Sequence, residues 1–227
     1  MNSSVFVVVP VLNEGAIIGS VLQSLIGKGY SIVCVDDGST DDTWSILQSL
    51  PVYPLHHAIN LGQGAALQTG MTFALARGAE FVVHFDSDGQ HDPDDIEGLL
   101  EPLRRGEADV ALGSRFIRRS DRDAVPPTKR LLLKGGVVVN GLLTGLWLSD
   151  AHNGLRAMTR EAAAKIKLRE NRYAHASEIL SQIRRQKLRV VEKPTTISYT
   201  DYSKAKGQSM WNSIRILADM LLRRIFR

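Results

Sequence analysis

Cysteine is nearly missing from this chain of 227 residues: Cys34 is the only one. An internal disulfide is therefore excluded, and the position of Cys34 inside the apolar run Ser31 to Val35 marks it as a buried thiol rather than a reactive one. Long hydrophobic runs are missing as well. A spanning helix needs about eighteen or more apolar residues in a row, and the longest candidate, Leu131 to Leu148, is broken by Lys134, Asn140 and four glycines. A spanning helix is not expected there, while one lying on a membrane stays open. Met1 to Ser4 lead straight into Val5 to Val9, without the basic flank, longer apolar core and small-residue cleavage site of a secretory signal, so a cytoplasmic location is expected. Charge of one sign is scarce too: 28 Lys and Arg against 24 Asp and Glu leave a formal +4. With no basic stripe interleaved with aromatics, a nucleic-acid partner is not expected. Repeats and low-complexity segments are also lacking.

What the chain does contain is the composition of a folded domain, 44% hydrophobic and 23% charged, at a length that suits one large domain. Short apolar runs alternate with amphipathic segments. Val5 to Pro10 reads as a strand covered on both faces, and Asn13-Glu14 then starts a helix reaching about Lys28, with Ile17, Ile18, Val21, Leu22 and Leu25 on one face. Ser31 to Val35 is a second strand, and Ser39 and Asp42 have capping-box spacing for a helix through Leu50. Val52 to His57 is a third strand. The loop His57 to Ala66, with Asn60, Gly62 and Gly64, enters a helix to about Arg77; its glycines either permit close approach to a ligand or only make a turn. Phe81 to Phe85, a helix Asp94 to Arg105, and Ala108 to Gly113 follow. Such alternation predicts an α/β fold with a mostly parallel central sheet flanked by helices.

The run Phe81 to Phe85 ends in Asp86-Ser87-Asp88-Gly89-Gln90. In extended chain, carboxylates two residues apart leave on the same face and repel unless a cation lies between them. Hard oxygen ligands suit Mg²⁺ or Mn²⁺, and a Mg²⁺ with only one or two carboxylates completes its shell with water and substrate phosphates. The other reading is an acidic turn before the helix that Pro93 opens. Ligands of open α/β sheets bind beyond the carboxyl ends of the strands. Asp36, Asp37, Asn60, Asp86, Asp88 and Arg115 all follow strands, which favours the metal reading.

Beyond Arg115 the pattern changes. A polar loop with Arg118, Arg119, Asp121, Arg122 and Asp123 reaches Pro126-Pro127, and Lys129 to Lys134 opens an apolar, glycine-punctuated helical region. Its basic head suits an anionic lipid headgroup, or is the solvated end of a core helix. Asp150 to Met158 is a polar loop entering an edge strand. Arg160 to Ile166 and Tyr173 to Arg185 are helices, and Leu188 to Tyr199 is a strand that Pro194 places at an edge. Residues 1–206 are expected to form the main domain and 207–227 a basic amphipathic helix. That helix suits an anionic membrane surface, or packs on the domain or on a second subunit in a homo-oligomer.

Pro10-Val11-Leu12-Asn13-Glu14, Asp36-Asp37-Gly38-Ser39, Asn60-Leu61-Gly62, Asp86-Ser87-Asp88-Gly89-Gln90, Gly113-Ser114-Arg115 and Asn153-Gly154-Leu155-Arg156 together resemble a family 2 inverting glycosyltransferase of the GT-A fold. Within it they resemble most the polyprenyl-phosphate glycosyltransferases, the group of dolichol-phosphate mannose synthase. The resemblance implies that Pro10, Asn13 and Glu14 lie along the nucleotide, that Asp37 with Asp36 contacts the base, and that Asn60 and Gly62 line the same pocket. It implies Asp86 and Asp88 as the DxD metal pair with Gln90 as a third contact. Arg115, Arg130 and Lys134 would hold the acceptor phosphate, and Asp150 would be a base or an orienting group. The implied reaction moves a sugar from a UDP- or GDP-sugar to a polyprenyl phosphate at the inner face of the membrane, for cell envelope glycan synthesis. The alternative is a soluble transferase extending a polysaccharide. Relatives of this kind often carry two C-terminal transmembrane helices; here the basic amphipathic tail is expected to supply a peripheral contact, with a membrane-protein partner or oligomerisation as further means of attachment.

Overall fold

A computed structural model of the protein describes residues 4–118, 127–151, 153–171 and 174–198. The predicted basic C-terminal helix, the 207–227 boundary and the charged loop after Arg118 lie outside them. Seven strands form one sheet: β1 (Val5–Val11), β2 (Ser31–Asp36), β3 (Tyr53–His56), β4 (Phe81–His84), β5 (Val110–Ser114), β6 (Arg156–Thr159) and β7 (Val190–Pro194). Their order is β3-β2-β1-β4-β6-β5-β7. Every pairing is parallel except those of β6, which runs antiparallel to both β4 and β5.

The helices are α1 (Ile18–Ile26), α2 (Thr43–Ser49), α3 (Gln63–Ala76), α4 (Asp95–Arg104), α5 (Pro127–Thr144), α6 (Arg160–Lys165) and α7 (His175–Arg185). The two-residue period of a strand divides β1 between two cores. Val5, Val7, Val9 and Val11 join Ile18, Leu22 and Leu25 of α1 with Ile96, Leu99 and Leu100 of α4. Phe6 and Val8 join Leu67 and Met71 of α3 with Ile179, Leu180 and Ile183 of α7. Both faces of the sheet are thus covered, which is why the parallel strands read as unbroken apolar runs. Cys34 lies in the first core, fully buried, and burial pushes its thiol far up.

Three expectations are corrected. Helix α1 begins at Ile18 rather than at Asn13-Glu14, because Asn13 takes a left-handed conformation (φ 52°) that no helix accommodates. The capping box of Ser39 and Asp42 does not form: the Ser39 hydroxyl donates to Asp36 and accepts from the Asn13 N–H instead. Strand β6 is not at an edge but inside the sheet, where Ala157 and Met158 are fully buried. The edge assignment of β7 agrees with the structure. Among the described residues, no helix is long and apolar enough to cross a membrane.

Candidate active site

The carboxyl ends of β1, β2, β4 and β5 open on one edge of the sheet. Because β6 is reversed, that edge also receives its first residue, Arg156, and the loop before it. At the β1 end, Pro10 is buried within the strand, opposite Val35. Asn13 is locked by its own amide: Oδ1 accepts from the Thr40 N–H at 2.8 Å, while its N–H donates to Ser39 Oγ at 2.8 Å. Glu14 is buried and donates its N–H to Thr43 Oγ1.

The two aspartates at the end of β2 turn out to be braces. Asp36 is fully buried, accepts from the Ser39 N–H and Oγ–H, and has His56 Nδ1 at 2.9 Å. Asp37 takes the N–H groups of Leu61 (3.0 Å) and Gly62 (2.6 Å), with His57 Nδ1 at 2.7 Å. Its carboxylate therefore holds the Asn60-Leu61-Gly62 loop. Gly62, at φ 104°, takes a backbone form that side chains rarely adopt, and it delivers the chain into α3. Asn60 is exposed on this loop.

Strand β4 ends at His84, so Asp86 and Asp88 leave a turn and not an extended segment. Asp86 has both oxygens engaged: Oδ1 accepts from Gln63 Nε2 at 3.0 Å, and Oδ2 lies 3.3 Å from His91 Nε2. Burial works to raise the Asp86 pKa, but the His91 hydrogen bond and the positive charge of His91 and Arg156 hold it below the usual carboxylate range. Asp88 goes the opposite way. Burial, then the negative charge of Asp86, with a smaller push from Glu14, raise it. Asp88 Oδ1 accepts from the Gln90 N–H, and Gln90 is fixed on its other side by the Ser198 N–H on its carbonyl. Asp88 Oδ2 has no partner among the described residues.

This donor set fits a hard divalent cation. Two carboxylates that disfavour each other's charge have one free oxygen between them and an amide side chain nearby. Among the described residues no three His, Cys, Asp or Glu side chains cluster as a metal site. Such a site leaves most of its coordination shell to water and phosphate oxygen, as Mg²⁺ prefers.

Opposite the aspartates stands a cationic half. Arg115, buried after β5, donates through Nε to Asp150 Oδ2 at 2.6 Å and through its N–H to the same oxygen at 3.3 Å. Asp150 is buried, and the Glu192 carboxylate accepts from its N–H. Arg156, also buried, lies in the field of both Asp86 and Asp150; burial lowers its pKa and these two carboxylates oppose the shift. Arg130 is half-buried on α5 and Lys134 is exposed one turn on.

The structure thus brings together Glu14, Asp86, Asp88, Gln90 and, across the edge, Arg115 with Asp150. Lys134 is exposed on α5, and Asp36 and Asp37 are buried at the end of β2. Four further residues shape the site. Gln63 and His91 hold Asp86, and Arg156 links the two halves. Gly154 passes so close to Asp86 that a Cβ there would sit 1.9 Å from Oδ2. The signals available for these were a histidine directly after the Asp-Ser-Asp-Gly-Gln run and an arginine opening an apolar strand.

The model of glycosyl transferase family 2 matches residues 6–167, from the second residue of β1 to just past α6. The chain belongs to glycosyl transferase family 2. An uncharacterized protein of Methanocaldococcus jannaschii is 36% identical to this transferase over 99% of this chain and 94% of that one. The UDP-N-acetylglucosamine–dolichyl-phosphate N-acetylglucosaminyltransferase of Methanococcus voltae is 32% identical, covering 96% of this chain and 95% of its own. The dolichol-phosphate mannosyltransferase of Pyrococcus furiosus is 31% identical over 93% of this chain, but this chain spans only 62% of that one. The transferase has the GT-A fold. It is similar in structure to glucosyl-3-phosphoglycerate synthase from Mycobacterium tuberculosis, solved with Mn²⁺, uridine diphosphate and glucosyl-3-phosphoglycerate, at a TM-score of 0.67 and 21% identity, covering 98% of this chain and 80% of that one.

Proposed function

We propose that this transferase moves a sugar from a UDP- or GDP-sugar to a polyprenyl phosphate, with inversion, at the inner face of a membrane. The observation that carries the reading is the division of one sheet edge into a carboxylate half, Asp86 and Asp88, and a guanidinium half, Arg115 with Asp150. A nucleoside diphosphate needs the first through its metal, and an anionic acceptor needs the second. The names of the Methanococcus and Pyrococcus relatives support a lipid phosphate as acceptor. The Mn²⁺ and uridine diphosphate of the fold neighbour support a metal-bound donor.

In this reading Asp86, Asp88 and Gln90 hold Mg²⁺ or Mn²⁺, which supplies charge stabilisation to the departing diphosphate. Gln63 and His91 keep Asp86 in place, so the carboxylate need not reorganise as charge develops. Asn13, Glu14, Asn60 and Gly62 border the nucleotide, and Asp37 shapes that border by fastening the 60–62 loop. Arg115 and Arg130 attract the acceptor phosphate, with Lys134 at the rim. A phosphate oxygen is anionic at neutral pH, so the attack needs little help from a general base. Asp150, already accepting from Arg115, orients the guanidinium; were the acceptor a sugar hydroxyl, Asp150 would have to take its proton.

The test is transfer of radiolabel from a panel of UDP- and GDP-sugars, with Mg²⁺ or Mn²⁺, into an organic-extractable product formed with undecaprenyl phosphate. Label in the organic phase, abolished by chelator, is expected. Label reaching only water-soluble oligosaccharides would replace this reading with the polysaccharide-extending one.

A further inference from the structure

Helix α5 lies in the chain between Arg115, which follows β5, and Asp150. Its inward side is accounted for. Gly136, Gly141 and Thr144 are buried, and Val137 packs on the second core. Its outward side is the reverse of what a solvated helix shows. Lys134, Val138 and Leu142 follow one another at four-residue steps on one stripe, with Val138 50% and Leu142 69% exposed. Trp147 extends the stripe at 63% exposure, its indole pressed against Gly141, where a Cβ would lie 2.7 Å from the ring. An amphipathic surface helix turns polar residues outward. This one turns out Val138 and Leu142, and Trp147, just past its end, adds to them.

We propose that the Lys134, Val138, Leu142 and Trp147 face is a docking surface for a bilayer carrying anionic lipids. The charge of α5 selects this occupant. Residues 127–144 contain Lys129, Arg130 and Lys134 and no acidic residue, so an anionic surface is complementary, whereas a second copy meeting face to face would bring like charges together. Tryptophan beside aliphatic side chains is the composition that settles at a headgroup boundary. Trp147 precedes Asp150 by three residues, so docking brings the bilayer surface to the Arg115–Asp150 pair. The functional sense of the surface rests on the reading of the acceptor as a lipid phosphate; its geometry does not.

The experiment is vesicle flotation of the full chain with phosphatidylcholine alone and with added phosphatidylglycerol, alongside transfer to a short-chain polyprenyl phosphate in detergent. The wild type floats with the anionic vesicles and its tryptophan emission shifts to the blue. Trp147→Phe floats with a much smaller shift. The pair Leu142→Gln with Trp147→Gln, neutral by design, loses at least tenfold in partitioning while its helical circular dichroism and its transfer in detergent are unchanged. Lys134→Gln weakens anionic binding severalfold, and the difference disappears at high salt. Equal flotation of the Leu142/Trp147 pair, or no flotation of the wild type, would overturn the proposal. So would a wild-type dimer that the same pair dissociates. Flotation as expected without transfer to any polyprenyl phosphate would keep the docking surface and remove the acceptor reading.

Discussion

Gly154→Ala isolates one contact in this site. The added Cβ would stand 1.9 Å from Asp86 Oδ2, 2.6 Å from Cγ and 2.9 Å from Oδ1, whereas carbon and oxygen meet without strain only beyond about 3.2 Å. The Asp86 carboxylate would have to retreat by more than an ångström, or the loop from Asn153 to Leu155 would have to lift. The loop resists, because Leu155 donates to Asn153 Oδ1 and Asn153 Nδ2 donates to Thr195 Oγ1 at 2.9 Å. The carboxylate is therefore expected to yield, weakening its bonding to Gln63 and His91 by about the worth of one hydrogen bond. Hydrogen bonds to a charged group contribute about 1.5–3 kcal/mol each, and losing most of one is about 2 kcal/mol, or roughly thirtyfold. The expected outcome is a thirtyfold or greater fall in kcat/KM together with a raised metal requirement, measured by titrating Mn²⁺ into the transfer assay. Gly154 does not occupy the left-handed region, so a methyl group adds no backbone strain, and the urea midpoint should fall only by the lost hydrogen bonding, about 2 kcal/mol. Gly98→Ala on α4, where a Cβ meets nothing within 4 Å, is the control and should leave activity alone. A Gly154→Ala enzyme with wild-type turnover and wild-type metal dependence would refute the placement of Asp86.

Other outcomes follow from the same geometry. Asp88→Asn should lower turnover by about 10²–10³-fold, yet raise the urea midpoint slightly, because it removes a carboxylate facing Asp86 and Glu14; falling stability with intact turnover would contradict the metal role. His84 is buried with both ring nitrogens unpartnered among the described residues, and burial, aided by Arg156, pushes its pKa down to about 3. His84→Met should therefore leave stability equal or higher by about 1 kcal/mol, read by urea denaturation. Asp109 is held below the ordinary carboxylate range by its hydrogen bond from the Arg189 guanidinium, against a smaller effect of burial. Its folded pKa is depressed, so its stabilisation is present above the unfolded value near 4 and is lost as pH falls through the folded value. Asp109→Asn should accordingly be slightly less stable at pH 7 and indistinguishable from wild type in strong acid; a difference that persists there would point to lost packing.

Much of this architecture was legible from the chain itself. The apolar runs ending in Asp36-Asp37, Asp86 and Ser114-Arg115 announced parallel strands and the sheet edge where these polar residues gather, because burial on both faces permits no alternation and topology aligns the ends. Strand β6 was not legible as an interior strand. Its four residues run from a polar loop straight into α6, and nothing local distinguishes an inserted antiparallel strand from one at an edge. The brace roles of Asp36 and Asp37 were hidden for a related reason: their partners, His56, His57 and the Gly62 N–H, are far along the chain and meet them only after β3 pairs with β2. Asn13 looked like a helix opener because its left-handed conformation depends on Thr40 and Ser39.

The reversal of β6 also orders events in time. Strands β1 to β4 can pair as the chain emerges, and they carry the whole carboxylate half of the site. Strand β5 has no neighbour in the sheet until β6 wedges between it and β4, joining Val82 to Met158 and Met158 to Val110. Such distant pairings close late because of the loop entropy they must overcome. A nascent chain would therefore complete the carboxylate half of the site well before the guanidinium half is joined to it, and Arg156, arriving with β6, is the residue whose burial marks the moment the two become one site.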